Sequence, residues 1–389
     1  MSAEAPVPTS IATSLLSAAI LLGLACQQAP AGRGPSAGSP AETRTQGQAQ
    51  AASIDALVTA AGVRARSPGV VVLVASGGRV VFEKGYGLSN IAAARPASPD
   101  TQFYIASNSK AFTAMAIMML AERGKLSYED PLTRFFPEFP RYAKRITVRH
   151  LLHHTSGIRD YAEFFDDSTA RPGQTSPLLL RALAQQSSPV FAPGQKYEYS
   201  NSGYFLLAMI ADKVAGKPLP EFIDENIFAP LAMKHSFVTA ERKLPWPDLA
   251  TPYVLEKGKY RDARFGDNPI DLTYGDGGVV STVGDLLKWD QALYTDRLVK
   301  SSTLEEAFVS GQLTDEEETG YGFGWEIDEY LGHSRIQHDG SWTGWNSVLA
   351  RYPDDRLTII VLSSFEPFDP SGLADEIASL YLEDESDED

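Results

Sequence analysis

Ser107 and Lys110 stand three residues apart in the stretch Tyr104-Ile105-Ala106-Ser107-Asn108-Ser109-Lys110, a spacing that puts two side chains on one face of a helix. A serine hydroxyl is a weak nucleophile and needs a neighbouring base. A lysine amine can be that base only when neutral, and an apolar site lowers its pKa by desolvation. Residues 111–120 are apolar on every side, so the pattern predicts a buried helix that supplies this condition. With Ser107 at the N-terminus of that helix, the amides there favour developing negative charge. Ser-x-x-Lys taken alone is more often a chance pattern than a site.

Two further groups suit the same chemistry. Tyr199-Ser200-Asn201 follows the turn Pro193-Gly194 and leads into another apolar helical stretch from Ser202. A loop tyrosine can pass a proton between a serine and a leaving group, particularly if a nearby cation lowers its pKa. Asn201 can bind a substrate amide and Lys110 together. The competing reading is a turn whose Ser200 and Asn201 cap the next helix. Later comes His338-Asp339-Gly340-Ser341. Gly340 at a sheet edge allows close approach of a substrate backbone, and the amides of Ser107 and Ser341 together make an oxyanion hole. His338 is expected on the substrate side, binding a carboxylate or donating a hydrogen bond with a charge set by pH. Lys110 and Tyr199 both remain open as the acylation base.

Other candidates are weaker. His150, His153 and His154 lack H-E-x-x-H spacing and a carboxylate at a matching interval, so loop histidines bonded to backbone are expected and no metal site is assigned. Gly34-Pro35-Ser36-Ala37-Gly38 matches G-x-S-x-G but has neither the preceding strand nor the following helix that motif needs. Thr282 and Asp285 form a helix-capping pair before Leu286. Tyr321-Gly322-Phe323-Gly324-Trp325 suits a cleft wall or core packing equally. Trp342 and Trp345, which flank the third group, are expected at the cleft rim.

The elements that must position these residues follow from periodicity. Val70 to Val74 and Val80 to Phe82 are β-branched runs around Ser76-Gly77-Gly78, a hairpin signal. Asn346 to Tyr352 and Leu357 to Ser363 are two more strands, and residues 375–382 have helical spacing. Between them lie helical stretches at 111–123, 178–185, 202–215 and 286–294. Strands first and last with helices between predict an α+β fold, one antiparallel sheet built from both termini with a helical region inserted.

The chain has 389 residues, 43% of them hydrophobic, enough for one large domain. Its formal net charge of -16 argues against a nucleic-acid partner. Residues 11–25 are apolar but short of the roughly 20 residues a membrane span needs, and they precede the single cysteine, Cys26. This resembles a signal peptide ending in a bacterial lipoprotein cleavage site, with Cys26 lipidated. The expected organisation is a signal segment at 1–26, a disordered tether at 27–52, a catalytic domain at 53–382 and an acidic tail at 383–389. Export, to the periplasm or to a membrane through a lipidated N-terminus, follows from that reading.

Ser107-x-x-Lys110, Tyr199-x-Asn201 and His338-x-Gly340 appear in the order that marks the penicillin-recognising serine hydrolases. More narrowly, the chain resembles the branch holding class C β-lactamases, D-alanyl-D-alanine carboxypeptidases, D-aminopeptidases and related esterases. Leu151-Leu152-His153-His154-Thr155-Ser156-Gly157 and Gly277-Gly278-Val279-Val280-Ser281-Thr282 are similar to stretches of the same family, and the resemblance covers about residues 54–382. It implies the β-lactamase/transpeptidase-like fold and an acyl-enzyme at Ser107 that water hydrolyses, without a metal or organic cofactor. Class C β-lactamases usually carry lysine where this chain has His338, and the histidine form looks more like the carboxypeptidase and D-aminopeptidase relatives. The implied substrate is a small ester, amide or D-amino-acid peptide, with β-lactamase or slow penicillin-binding receptor as alternatives.

Overall fold

The computed structural model describes residues 40–165, 175–240, 246–265, 271 and 273–383. Its centre is a six-stranded antiparallel sheet that unites the two ends of the chain. Strands β1 (Val70–Ser76) and β2 (Arg79–Tyr86) come from the first end. From the second come β3 (Glu326–Tyr330), β4 (His333–Trp342), β5 (Trp345–Tyr352) and β6 (Leu357–Ser363). The order is β3-β4-β5-β6-β1-β2. The ends join at β6 and β1, with Val70 opposite Ser363 and Ser76 opposite Leu357. The β1–β2 hairpin turns through Gly77 and Gly78, both at positive φ, as a tight two-residue turn requires.

Strand side chains alternate faces, and both faces of this sheet are covered. Leu73, Leu349, Ile360 and Leu362 belong to the larger core, which holds helices α2 (Ser109–Glu122), α3 (Asn201–Ala215) and α4 (Val283–Ala292). Val72, Val74, Val348, Ile359 and Val361 face a smaller core with α1 (Pro40–Ala60) and α5 (Pro370–Ala378). The expected antiparallel sheet, completed by both termini around inserted helices, is what forms.

A buried ion pair ties the larger layer to the sheet. Arg351 on β5 donates its Nε to Asp290 Oδ1 on α4 at 2.6 Å, the two side chains being 1% and 0% exposed. Thr358 donates to the other carboxylate oxygen at 2.8 Å. The terminal helix starts at Pro370 rather than 375 because Asp369 caps it, accepting from the amide of Gly372, with Pro370 in the first turn.

The tether expected at 27–52 is corrected for residues 40–52, which lie in α1. The alanines and glutamines of this stretch are strong helix formers. Ile54 and Val58 then dock that helix on the sheet, and Gln50 bonds the carbonyl of Leu380. Residues 1–39, with Cys26 and the G-x-S-x-G match, and residues 384–389 lie outside the described residues. Among those described, no helix is long and apolar enough to cross a membrane.

Candidate active site

Ser107 sits in a one-turn 3-10 helix, Ala106–Asn108, that runs directly into α2. Neighbouring strands clamp this turn. Phe103 and Tyr104 pair with Ser281 and Val280, and the amide of Ile105 bonds the carbonyl of Val279. Ala106 is held at φ 47°, a left-handed conformation that costs a non-glycine residue energy and persists only where its surroundings impose it. Ser347 Oγ donates to the carbonyl of Ile105 and accepts from Asn108 Nδ2, fixing the turn from the β5 side.

Lys110, in the first turn of α2, is wholly buried. Its Nζ bonds Ser107 Oγ at 3.0 Å, Asn201 Oδ1 at 3.0 Å and the main-chain oxygen of Asp276 at 2.8 Å. The rings of Tyr199 and Tyr204 lie 4.8 and 5.8 Å from it. Burial brings the amine down to about 8, against the opposing pull of Asp276, Asp160 and Asp339. A neutral amine has two N–H donors and one lone pair. The amide oxygen of Asn201 and the carbonyl of Asp276 accept the two donors, which leaves the lone pair for the Ser107 hydroxyl. That is the geometry of a general base.

Tyr199 also hydrogen-bonds Ser107, but burial holds its hydroxyl well above its ordinary range. The expected lowering by a nearby cation is therefore corrected: desolvation sets the direction, outweighing the bond to Ser107 that opposes it, and the side chain stays a phenol. The capping alternative for Ser200 and Asn201 also fails. Ser200 precedes α3 but makes no side-chain cap, bonding the carbonyl of Ile158 instead, and Asn201 turns to Lys110. His154 Nδ1 accepts from the amide of Ser200 and Asp160 Oδ2 from that of Asn201, which anchors the loop.

His338 is placed differently from expectation. It is 1% exposed, with Nε2 against the hydroxyl of Tyr321 at 2.9 Å and Nδ1 against the carbonyl of Asp339 at 2.5 Å. Burial and Lys110 bring it down to about 3, so it is neutral at ordinary pH. It lies beneath the cleft and supports Tyr199 and Tyr321, whose rings it meets at 6.2 and 5.7 Å. The pleat instead sends Asp339 and Ser341 into the cleft. Gly340 is also corrected. A Cβ there would stand 2.3 Å from the carbonyl oxygen of Ile105 and 3.1 Å from the amide of Ser107. The close approach it permits is to the nucleophile's own turn, bringing the β4 backbone beside the Ser107 amide.

Around Ser107 the cleft has a volume of about 480 Å³. Tyr199, Asn201 and Ser341 line it, together with residues not foreseen: Tyr104, Tyr161, Tyr197, Asp276, Glu326 and Asp339. Asp276 was legible only as a residue between glycines. Gly275, at φ 110°, lets the loop sit against α3, where a Cβ would meet Ala208 and the carbonyl of Tyr204. That seat delivers the Asp276 carbonyl to Lys110. The Asp276 side chain accepts from Tyr161 at 2.5 Å. β3 pairs with β4 only as far as Gln337, so the β4 segment from 338 to 342 extends past its outer neighbour.

The other candidates resolve as follows. Trp342 lines the cleft, its indole donating to Asp271. Trp345 is corrected from rim to core, fully buried against Phe103, Tyr104 and Phe265. Tyr321, Phe323 and Trp325 are buried core residues. His153 and His154 are bonded to backbone, His150 closes a capping box with Thr147, and Thr282 caps α4 through the amide of Asp285. Ligand atoms of Glu326, His338 and Asp339 gather within 4.8 Å of one another, but both ring nitrogens of His338 already have partners.

Residues 54–382 match the family described as Beta-lactamase. Penicillin-binding protein 4* of Bacillus subtilis is 35% identical over 307 residues, covering 76% of this chain and 68% of that protein. A D-aminopeptidase of Brucella anthropi is 28% identical over 77% of this chain, which spans 57% of that enzyme's length. Among solved structures, an octameric penicillin-binding protein homologue from Pyrococcus abyssi superposes with a TM-score of 0.72 at 30% identity, over 86% of this chain and 76% of that one.

Proposed function

The chain belongs to the beta-lactamase family, and from that premise we propose that it is a serine hydrolase forming an acyl-enzyme at Ser107. Relatives that include penicillin-binding proteins and a D-aminopeptidase are consistent with serine acylation. The carrying observation is the buried Lys110, whose Nζ lies 3.0 Å from Ser107 Oγ while the oxygens of Asn201 and Asp276 accept from it, so that loss of one proton leaves a lone pair facing the Ser107 hydroxyl.

Lys110 takes the proton as Ser107 Oγ attacks the acyl carbon. Tyr199, a phenol bonded to Ser107, carries a proton to the leaving group and is reprotonated from Lys110. The amides of Ser107 and Ser341 receive the developing oxyanion. Water then attacks the ester carbonyl, and the same groups act in reverse. Small esters, amides and D-amino-acid peptides are the proposed substrates, and export with lipidation at Cys26 remains part of the proposal.

A panel of nitrophenyl esters, D-amino-acid amides and a chromogenic cephalosporin, run on wild type and Ser107→Ala, tests the assignment. Turnover of at least one substrate that depends on Ser107 is expected. Equal rates from both proteins throughout would sink it.

A further inference from the structure

Resting on that hydrolase reading, we infer that the substrate carries an ammonium group, received in the cleft by Glu326 and Asp339. Among the described residues the cleft is lined by three carboxyl residues, Asp276, Glu326 and Asp339, and by no lysine, arginine or histidine. Glu326 opens β3 and Asp339 projects from β4, and their carboxylate oxygens come within 4.8 Å.

Among the described residues no lysine or arginine forms an ion pair with Glu326 or Asp339, although Lys110 acts on Asp339 through its charge. Arg335, whose charge acts on Glu326, is held by Asp328 and Asp375 at 2.6 Å each. Lys110 has its three bonds elsewhere, and His338 is neutral beneath the floor. Burial first, then Asp339, pushes Glu326 up to about 7, against the opposing pull of Arg335.

A second, separate observation points the same way. Asp276 lines the same cleft at 8% exposure, and its Oδ1 has no hydrogen-bond partner. Five aromatic side chains, Tyr104, Tyr161, Tyr197, Tyr199 and Trp342, also line the cleft, and ring faces attract ammonium groups. A transition-metal ion that needs an imidazole ligand fits less well, because both ring nitrogens of His338 already have partners. A substrate carboxylate meets repulsion from the same wall, which places carboxylate-bearing antibiotics among its poor substrates.

Three nitrophenyl esters of matched acyl length, ending in an amino, a methyl or a carboxylate group, test this with EDTA present. In wild type kcat/KM is expected to fall in that order, mainly through KM. Glu326→Gln and Asp339→Asn should each narrow the amino-to-carboxylate ratio by about tenfold, one unit charge acting over a few ångströms in a half-wet site. Butylammonium should also inhibit wild type competitively where butyrate does not, a measurement that needs no variant to fold. A flat or reversed order that still vanishes in Ser107→Ala overturns the ammonium inference and leaves the hydrolase standing. Equal rates in wild type and Ser107→Ala overturn the hydrolase reading itself. An order that appears only when magnesium or calcium replaces EDTA assigns the pair to a metal and also overturns the inference.

Discussion

At the residue scale the chemistry depends on which of two buried groups can be a base at neutral pH. Desolvation acts oppositely on them, lowering the amine of Lys110 to about 8 and holding Tyr199 as a phenol. The active form of Lys110 is the deprotonated one, so kcat/KM should rise with pH through about 8 and level off above it. A pH–rate profile on a neutral ester checks this. Lys110→Ala should lose about 10²–10⁴ in kcat/KM together with that rising limb. Tyr199→Phe should lose rate but keep the midpoint, since it relays the proton without setting the pKa. A midpoint that moved with Tyr199→Phe and survived Lys110→Ala would exchange the two roles.

At the element scale the sheet does the positioning, and its packing explains what could be read in advance. The apolar runs of β1, β5 and β6, buried along almost their whole length, end at turn residues that placed their boundaries to within a residue or two. Alternation likewise separated His338 and Gly340 from Asp339 and Ser341. It could not say which pair faces the cleft, since both faces of this sheet are covered, and hydrophobic pattern then carries no direction. Asp276 escaped notice because it acts through its main-chain oxygen, which any residue type supplies. Two substitutions test the positioning. Gly340→Ala drives a methyl into the Ile105 carbonyl and toward the Ser107 amide, and should cost about 1–3 kcal/mol in stability with a larger proportional loss of turnover. Asp290→Ala leaves Arg351 charged and buried without its partner, and should lower unfolding free energy by about 3–5 kcal/mol in urea titration.

At the scale of the whole molecule, the charge of -16 and the carboxyl-lined cleft act in one direction. Both favour approach of a cation, an attraction screened over about 10 Å at 0.1 M salt. KM for an amino-terminated ester should therefore rise with ionic strength, KM for its carboxylate counterpart should fall, and the methyl analogue should stay level. The central claim is that Ser107 is the nucleophile and Lys110 its base, and a fluorophosphonate probe tests it most directly, because its adduct forms only on an activated serine and is not released. Intact-protein mass with peptide mapping should show one adduct per chain, located on Ser107, absent from Ser107→Ala and much slower to form in Lys110→Ala. An adduct on another residue, or equal labelling of wild type and Ser107→Ala, would contradict the account.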